Sequence, residues 1–216
     1  MEFRRHDLVM ADWPEEMVSA IPHEGLRRLV KSGRVPGIVR RDEGCDDGLG
    51  REYYTQEDTI PLGFVHPFRE HGARVRHAAH VEGRHALRVT TPYEVTGFPF
   101  EERTPALAAL LDISATYSVG AWGSTALEIV SGLPYTDARS DLDLLVTGYD
   151  AEELCALSGE LIRFEQVHGV RIDVEITLEN GYGINIKEYA SSSKELLGKG
   201  LQDVILIKRD AVDALL

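Results

Sequence analysis

The chain has 216 residues, 43% of them hydrophobic, and a formal net charge of −13, enough for one large domain or two small ones. Overall acidity argues against a nucleic-acid backbone as the main partner, and no apolar run approaches the ~18 residues that cross a bilayer. Residues 1–7 lack the apolar core of a signal peptide, and Cys45 and Cys155 form neither a CxxC pair nor a disulfide-dense pattern, so the reducing cytoplasm is the expected address.

The two halves differ in charge. Residues 1–100 carry 14 Lys+Arg against 16 Asp+Glu, and residues 101–216 carry 9 against 20. In the first half 13 of the 14 cations are Arg, the side chain suited to bidentate phosphate contacts, and seven of the eight histidines lie there.

Taken in order, Asp12 is placed to cap a helix bearing Met17, Val18 and Ile21. A second helix is expected over 24–31, with Leu26, Leu29 and Val30 at helical spacing and Gly33 at its stop. Val35 to Arg41 reads as a short strand and residues 42–50, rich in Gly and Asp, as a surface loop. Residues 60–68 and 73–79 read as extended pieces, with Arg74, Arg76 and Ala78 on one face of the second, followed by Leu87-Arg88-Val89. Between residues 60 and 90 stand five Arg and five His but only two Glu, which points to an anionic ligand on this side. A metal set of His77, His80 and His85 lacks a supporting ligand framework.

Pro92 to Pro99, with Gly97, reads as a linker, so the boundary between an N-terminal domain (1–98) and a C-terminal domain (99–216) is expected there. Thr104-Pro105 gives an N-cap and a first-turn proline ahead of Leu107, Leu110 and Leu111. Residues 115–122 read as a strand. Thr125 to Val130 reads as a short helix with a Thr125–Glu128 capping box, ended at Gly132-Leu133-Pro134. Ser140 to Thr147 is a strand, and Ala151 to Phe164 a helix with Leu154, Leu157, Leu161 and Ile162 inward. Residues 170–176 form another strand, and short strands at 184–186 and 204–207 flank a helical piece through Tyr189 and Leu196-Leu197.

Chemistry concentrates between Gly123 and Asp173. A strand sends successive side chains to opposite faces, so Asp141 and Asp143 emerge together while Leu142, Leu144 and Val146 face a core. Two adjacent carboxylates call for a cation. Upstream, Gly123-Ser124 opens a helix whose free backbone N–H groups favour an anion. Phosphate and a divalent metal are therefore expected in one pocket, with Asp173 or Glu175 on the next carboxylate strand.

The order helix, strand, Gly-Ser, helix, Asp-x-Asp strand, helix, carboxylate strand over residues 104–178 resembles the nucleotidyltransferase superfamily. Within it, Gly123-Ser124-x-x-Leu127-Glu128-x-x-Ser131-Gly132-Leu133-Pro134, with 16 residues between Ser124 and Asp141, resembles the phosphoribosyl-dephospho-CoA transferases of malonate decarboxylase, or malonate holo-acyl-carrier-protein synthases. Arg4-x-His6-Asp7-Leu8 is similar to that family's start.

The resemblance implies an α/β (α+β) architecture: a C-terminal nucleotidyltransferase-fold domain, its mixed sheet flanked by helices, beside a smaller mixed α/β domain. It implies transfer of a 2′-(5″-phosphoribosyl)-3′-dephospho-CoA group from triphosphoribosyl-dephospho-CoA to a serine of the apo acyl carrier subunit, releasing pyrophosphate. Two Mg2+ ions are expected, with Mn2+ as a substitute: Asp141 and Asp143 would bind both, and Asp173 the one that activates the serine. Gly123 and Ser124 would hold the triphosphate, and Arg74 and Arg76 the dephospho-CoA moiety or the carrier. The alternatives are AMP transfer to another protein or small molecule, and a catalytically silent binding module. The latter should have lost a carboxylate, whereas Asp141, Asp143 and Asp173 are all present.

Overall fold

Strand alternation and turn residues divide the chain between two sheets. A computed structural model describes residues 1–42 and 52–216; of the expected surface loop, residues 43–50 with Cys45 lie outside the described residues. The first half runs β1 (Glu2–Phe3), β2 (Leu8–Ala11), α1 (Glu15–Ala20), α2 (Glu24–Lys31), β3 (Gly37–Val39), β4 (Tyr54–Thr55), β5 (Thr59–Glu70), β6 (Ala73–Glu82), β7 (Ala86–Thr90) and α3 (Pro92–Thr96). β1 pairs with β4, and the others form a five-stranded antiparallel sheet in the order β6-β5-β3-β2-β7. His71 and Gly72, at φ 52° and 87°, close the β5–β6 hairpin with two left-handed residues, matching the twist of the strands. Helix α2 forms as its spacing predicts, with the His23 ring accepting the Leu26 N–H. Helix α1 forms too, but Pro14 rather than Asp12 occupies its N-cap position.

The second half runs α4 (Pro105–Ser114), β8 (Gly120–Trp122), α5 (Gly123–Ser131), β9 (Leu142–Val146), α6 (Ala151–His168), β10 (Ile172–Thr177), β11 (Gly183–Asn185), α7 (Ile186–Tyr189), β12 (Glu195–Lys199), β13 (Val204–Lys208) and α8 (Arg209–Asp213). Its sheet is mixed, in the order β13-β12-β11-β10-β9-β8, with β9 and β10 parallel and every other pair antiparallel. A parallel pair needs a crossover, and α6 supplies it. Asp150 and Glu153 form a capping box at its start, and Gly169 ends it at φ 63°. The expected α/β class is what the structure has.

Local expectations fail where a tertiary partner outbids a local one. The segment expected as a linker holds α3, with a Thr91–Glu94 capping box, packed on β8 where a Cβ on Gly120 would clash with Pro92. The strand expected over 115–122 shrinks to β8. Thr104 makes no cap bond; its hydroxyl pairs with that of Thr136 at 2.8 Å. The Thr125–Glu128 capping box does not form, because α5 starts two residues earlier with Trp122 at the N-cap, and Glu128 is drawn to Arg103 and Thr136. In α6 Phe164 takes the inward place given to Ile162, which is 59% exposed. Leu196 and Leu197 lie in β12, not in a helix: Leu196 is buried and Leu197 exposed, the alternation of a one-sided strand.

Two apolar cores result, and they exchange residues. Leu8 of β2 is buried in the core beneath the mixed sheet, while Leu201 is buried in the core of the five-stranded sheet. Among the described residues, no helix is long and apolar enough to cross a membrane.

Candidate active site

A cavity of about 840 Å³ lies between the two sheets. Its wall carries Gly123 and Ser124 from α5, Asp141 and Asp143 from the start of β9, and Arg74 and Arg76 from β6. Six of the seven residues singled out from sequence thus meet in one place, and the seventh, Asp173, is the register partner of Asp143 across the parallel β9–β10 pair.

The turn into α5 is built around Asp143. Trp122 is the register partner of Asp143, and Gly123, at φ 67°, lies so near that a Cβ there would collide with Asp143 Oδ2. The positive φ and the missing side chain are both required. The first N–H groups of α5 have no carbonyl partner inside the helix, and Ser124 sits among them. Trp122, not Ser124, is the N-cap, which leaves the serine hydroxyl outside the capping role.

Leu142, Leu144 and Val146 are fully buried, as the alternation of β9 predicts, and turn the carboxylates to the other side. Asp143 is mostly enclosed. Burial, then the charges of Asp173 and Asp141, push its carboxyl up to about 7. Asp173 meets Arg171 Nη2 at 2.6 Å, and Arg171 Nη1 lies 3.9 Å from Asp141. Arg171 thus spans two of the three acids from just before β10, two residues ahead of Asp173, a spacing readable in the sequence.

Glu175, the other candidate on that strand, does not join the three aspartates. Its side chain is 11% exposed, and its two oxygens lie 2.8 and 2.7 Å from Arg5 Nη2. His6 Nε2 lies 3.1 Å from Oε1. Burial would raise the Glu175 carboxyl, but bonding to His6 and the Arg5 guanidinium outweigh it and hold the group at about 2. Arg5 and His6 also line the cavity, and nothing in their local sequence marks them as partners of a residue 170 positions away.

The wall is strongly cationic: Arg5, Arg40, Arg41, Arg69, Arg74, Arg76, Arg139 and Lys199 face two lining carboxylates. Arg74 is nearly enclosed, donates to Pro67 O at 3.1 Å in the irregular stretch of β5, and lies 3.8 Å from Asp137. Burial, then Arg69, lowers its affinity for its proton. Arg76 is exposed and close enough to favour the ionised form of Asp143. Lys187 is bonded to Glu165 at 2.8 Å.

The histidine set considered from sequence does not assemble. His77 lines the cavity and His80 pairs with Asp42. Among the described residues one other group, His23, His66 and Glu70, is close enough to share an ion. There His23 Nδ1 accepts the Leu26 N–H at 3.0 Å, so the ring proton stands on Nε2, 2.8 Å from Glu70. That nitrogen donates a hydrogen bond and has no lone pair for a metal.

The arrangement offers anion recognition beside three clustered carboxylates whose charge Arg171 offsets only in part. Asp141, Asp143 and Asp173 are hard oxygen donors of the kind that suits Mg2+ or Mn2+, and Asp143 stands opposite Asp173 across the parallel β9–β10 pair, so the donor set fits a divalent cation.

Comparison with known proteins identifies the family of the chain. The family model described as phosphoribosyl-dephospho-CoA transferase MdcG C-terminal domain matches residues 95–210. A phosphoribosyl-dephospho-CoA transferase of Xanthomonas axonopodis pv. citri (strain 306) is 32% identical over 218 residues, covering 96% of this chain and 95% of that protein. One of Xanthomonas euvesicatoria pv. vesicatoria (strain 85-10) is 31% identical over 217 residues, with the same coverage. One of Bradyrhizobium diazoefficiens is 27% identical over 155 residues, covering 69% of this chain and 68% of that protein. No solved structure matches the chain.

Proposed function

The chain belongs to the phosphoribosyl-dephospho-CoA transferase family and is a transferase, and from that premise we propose that it moves the 2′-(5″-phosphoribosyl)-3′-dephospho-CoA group from its triphosphate precursor to a serine of the apo acyl carrier subunit of malonate decarboxylase. Pyrophosphate leaves. The observation that carries the reading is the single cavity in which an arginine-rich wall faces Gly123, Ser124 and the aspartates. On this reading residues 99–216 form a nucleotidyltransferase-fold catalytic domain, residues 1–98 the substrate side, and the enzyme works in the cytoplasm.

The α5 N-terminus and Ser124 bind the triphosphate through N–H groups and a hydroxyl, charge-assisted by the arginines. Arg74 and Arg76 hold the remaining anionic part of the donor or the carrier surface. Asp141, Asp143 and Asp173 would hold divalent ions, which when bound stabilise charge on the phosphates and lower the pKa of the incoming serine hydroxyl. Trp122 and Gly123 keep Asp143 at the mouth of the helix N-terminus, so donor phosphate and acceptor oxygen are oriented by one turn. No nucleophilic side chain of this protein is needed, because the acceptor serine belongs to the partner.

The test is incubation with triphosphoribosyl-dephospho-CoA, Mg2+ and the apo carrier, read by intact mass. A mass increase on the carrier matching the phosphoribosyl-dephospho-CoA group is expected. Transfer from ATP alone would favour AMP transfer instead, and no transfer from either donor would leave a binding module.

A further inference from the structure

The N-terminal turn enters the catalytic half from the other sheet. Asp7, 3% exposed, accepts the Arg4 N–H at 2.7 Å and closes a turn in which His6 takes φ 72°, a left-handed conformation that costs a side-chain-bearing residue. That strain delivers two side chains to one place. Arg5 Nη2 lies on both oxygens of Glu175, while the His6 ring stacks on Trp122 at 3.9 Å with 29° between planes. The indole N–H is fixed in turn on Leu144 O at 3.0 Å. Gly183 of the neighbouring strand lacks the Cβ that would occupy the space of the Glu175 carboxylate. Two glycines therefore make room for two acids: Gly123 for Asp143 and Gly183 for Glu175.

We infer that Arg5 and His6 are positioning residues for the transfer: Arg5 withdraws Glu175 from the aspartate cluster, and His6 braces Trp122 and through it the Gly123 turn. Without Arg5, Glu175 would keep only His6 Nε2, 3.1 Å from Oε1, and a buried carboxylate two residues along the same face from Asp173 would compete with Trp122 for the His6 ring and shift the cluster. A His6 ring drawn to Glu175 would leave its stack on Trp122. The activity readout rests on the function proposed above; the spectroscopic one does not.

The test places Arg5→Met, Glu175→Gln and the double variant in a Trp13→Phe background, where Trp122 is the one remaining indole of the two in the chain. Trp122 emission and acrylamide quenching are read without substrate, beside thermal melts and steady-state transfer kinetics. Arg5→Met alone should expose Trp122 to quencher and lower kcat about tenfold or more, and the double variant, which removes the stranded charge, should recover both to within about threefold. Equal damage in the single and double variants, or a Trp122 signal unmoved by Arg5→Met in a folded protein, would overturn the inference. Should Arg5→Met fail to fold, Arg5→Lys against Arg5→Lys/Glu175→Gln makes the same comparison. A wild type that loads no carrier would sink the proposed function, while the positioning role would still stand or fall on the fluorescence.

Discussion

Gly123 and Asp143 share a space that holds either a carboxylate oxygen or a methyl group, not both. Gly123→Ala is therefore expected to abolish transfer while also straining the backbone at φ 67°, at a cost of about 2 kcal/mol or more in stability. Gly132→Ala is the control. It has the same φ but nothing within 4 Å, so it should cost about 1 kcal/mol in urea denaturation and leave kcat nearly unchanged.

The elevated Asp143 carboxyl sets a pH dependence. An acid whose pKa is about 7 when folded, against 3.8 ordinarily, binds its proton more tightly in the folded state. Stability of the metal-free protein should then fall as pH rises from about 4 to about 7 and stay low above that. Asp7, also raised to about 7 by burial, contributes with the same sign. Thermal melts of Asp143→Asn against wild type across this range isolate the Asp143 share: the variant should be the more stable protein at pH 8 without metal, and Mg2+ should close the gap.

If the three aspartates hold divalent ions, Asp141→Asn and Asp173→Asn should each lower kcat at least about 100-fold, more than the loss of an outer partner of a metal ligand. Isothermal titration with Mn2+ checks the cause independently of turnover. Near-normal Mg2+-dependent transfer by Asp141→Asn would exclude the metal account.

Arg76 and Arg74 should separate in assay. Arg76 is exposed, so Arg76→Ala should raise the KM for the donor several-fold, with a weaker response to salt than wild type and an unchanged melting temperature. Arg74 donates to Pro67 O from a nearly enclosed position, so Arg74→Ala should lower the melting temperature as well.

Glu128 ties Arg103 to the backbone N–H and hydroxyl of Thr136, fastening the segment that leads from α5 back to Asp141. Glu128→Gln should destabilise by about 1–3 kcal/mol in urea and raise amide exchange selectively around residues 132–140.

What the sequence made legible was whatever depends on near neighbours. Alternation put Asp141 and Asp143 opposite Leu142 and Leu144, and Gly132 ended α5 where it was read, whereas α6 runs on past Phe164 to Gly169. Local grammar misled where a distant group competed for the same atoms. Thr125 and Glu128 have capping-box spacing, but Arg103 and Thr136 claim the glutamate. Glu175 has the alternation of a metal ligand, yet Arg5 claims it across 170 positions, a pairing that no periodicity announces. Arg74 and Arg76 stood out by density of charge, and the fold carried them to the aspartates by packing one sheet on the other.

The exchange of Leu8 and Leu201 between the two cores bears on how the donor enters. Each half is closed by an apolar residue borrowed from the other, so parting them would expose both cores at once. Calorimetry should record one melting transition rather than two, and the proposed donor would then enter through the mouth of the cavity with the halves together.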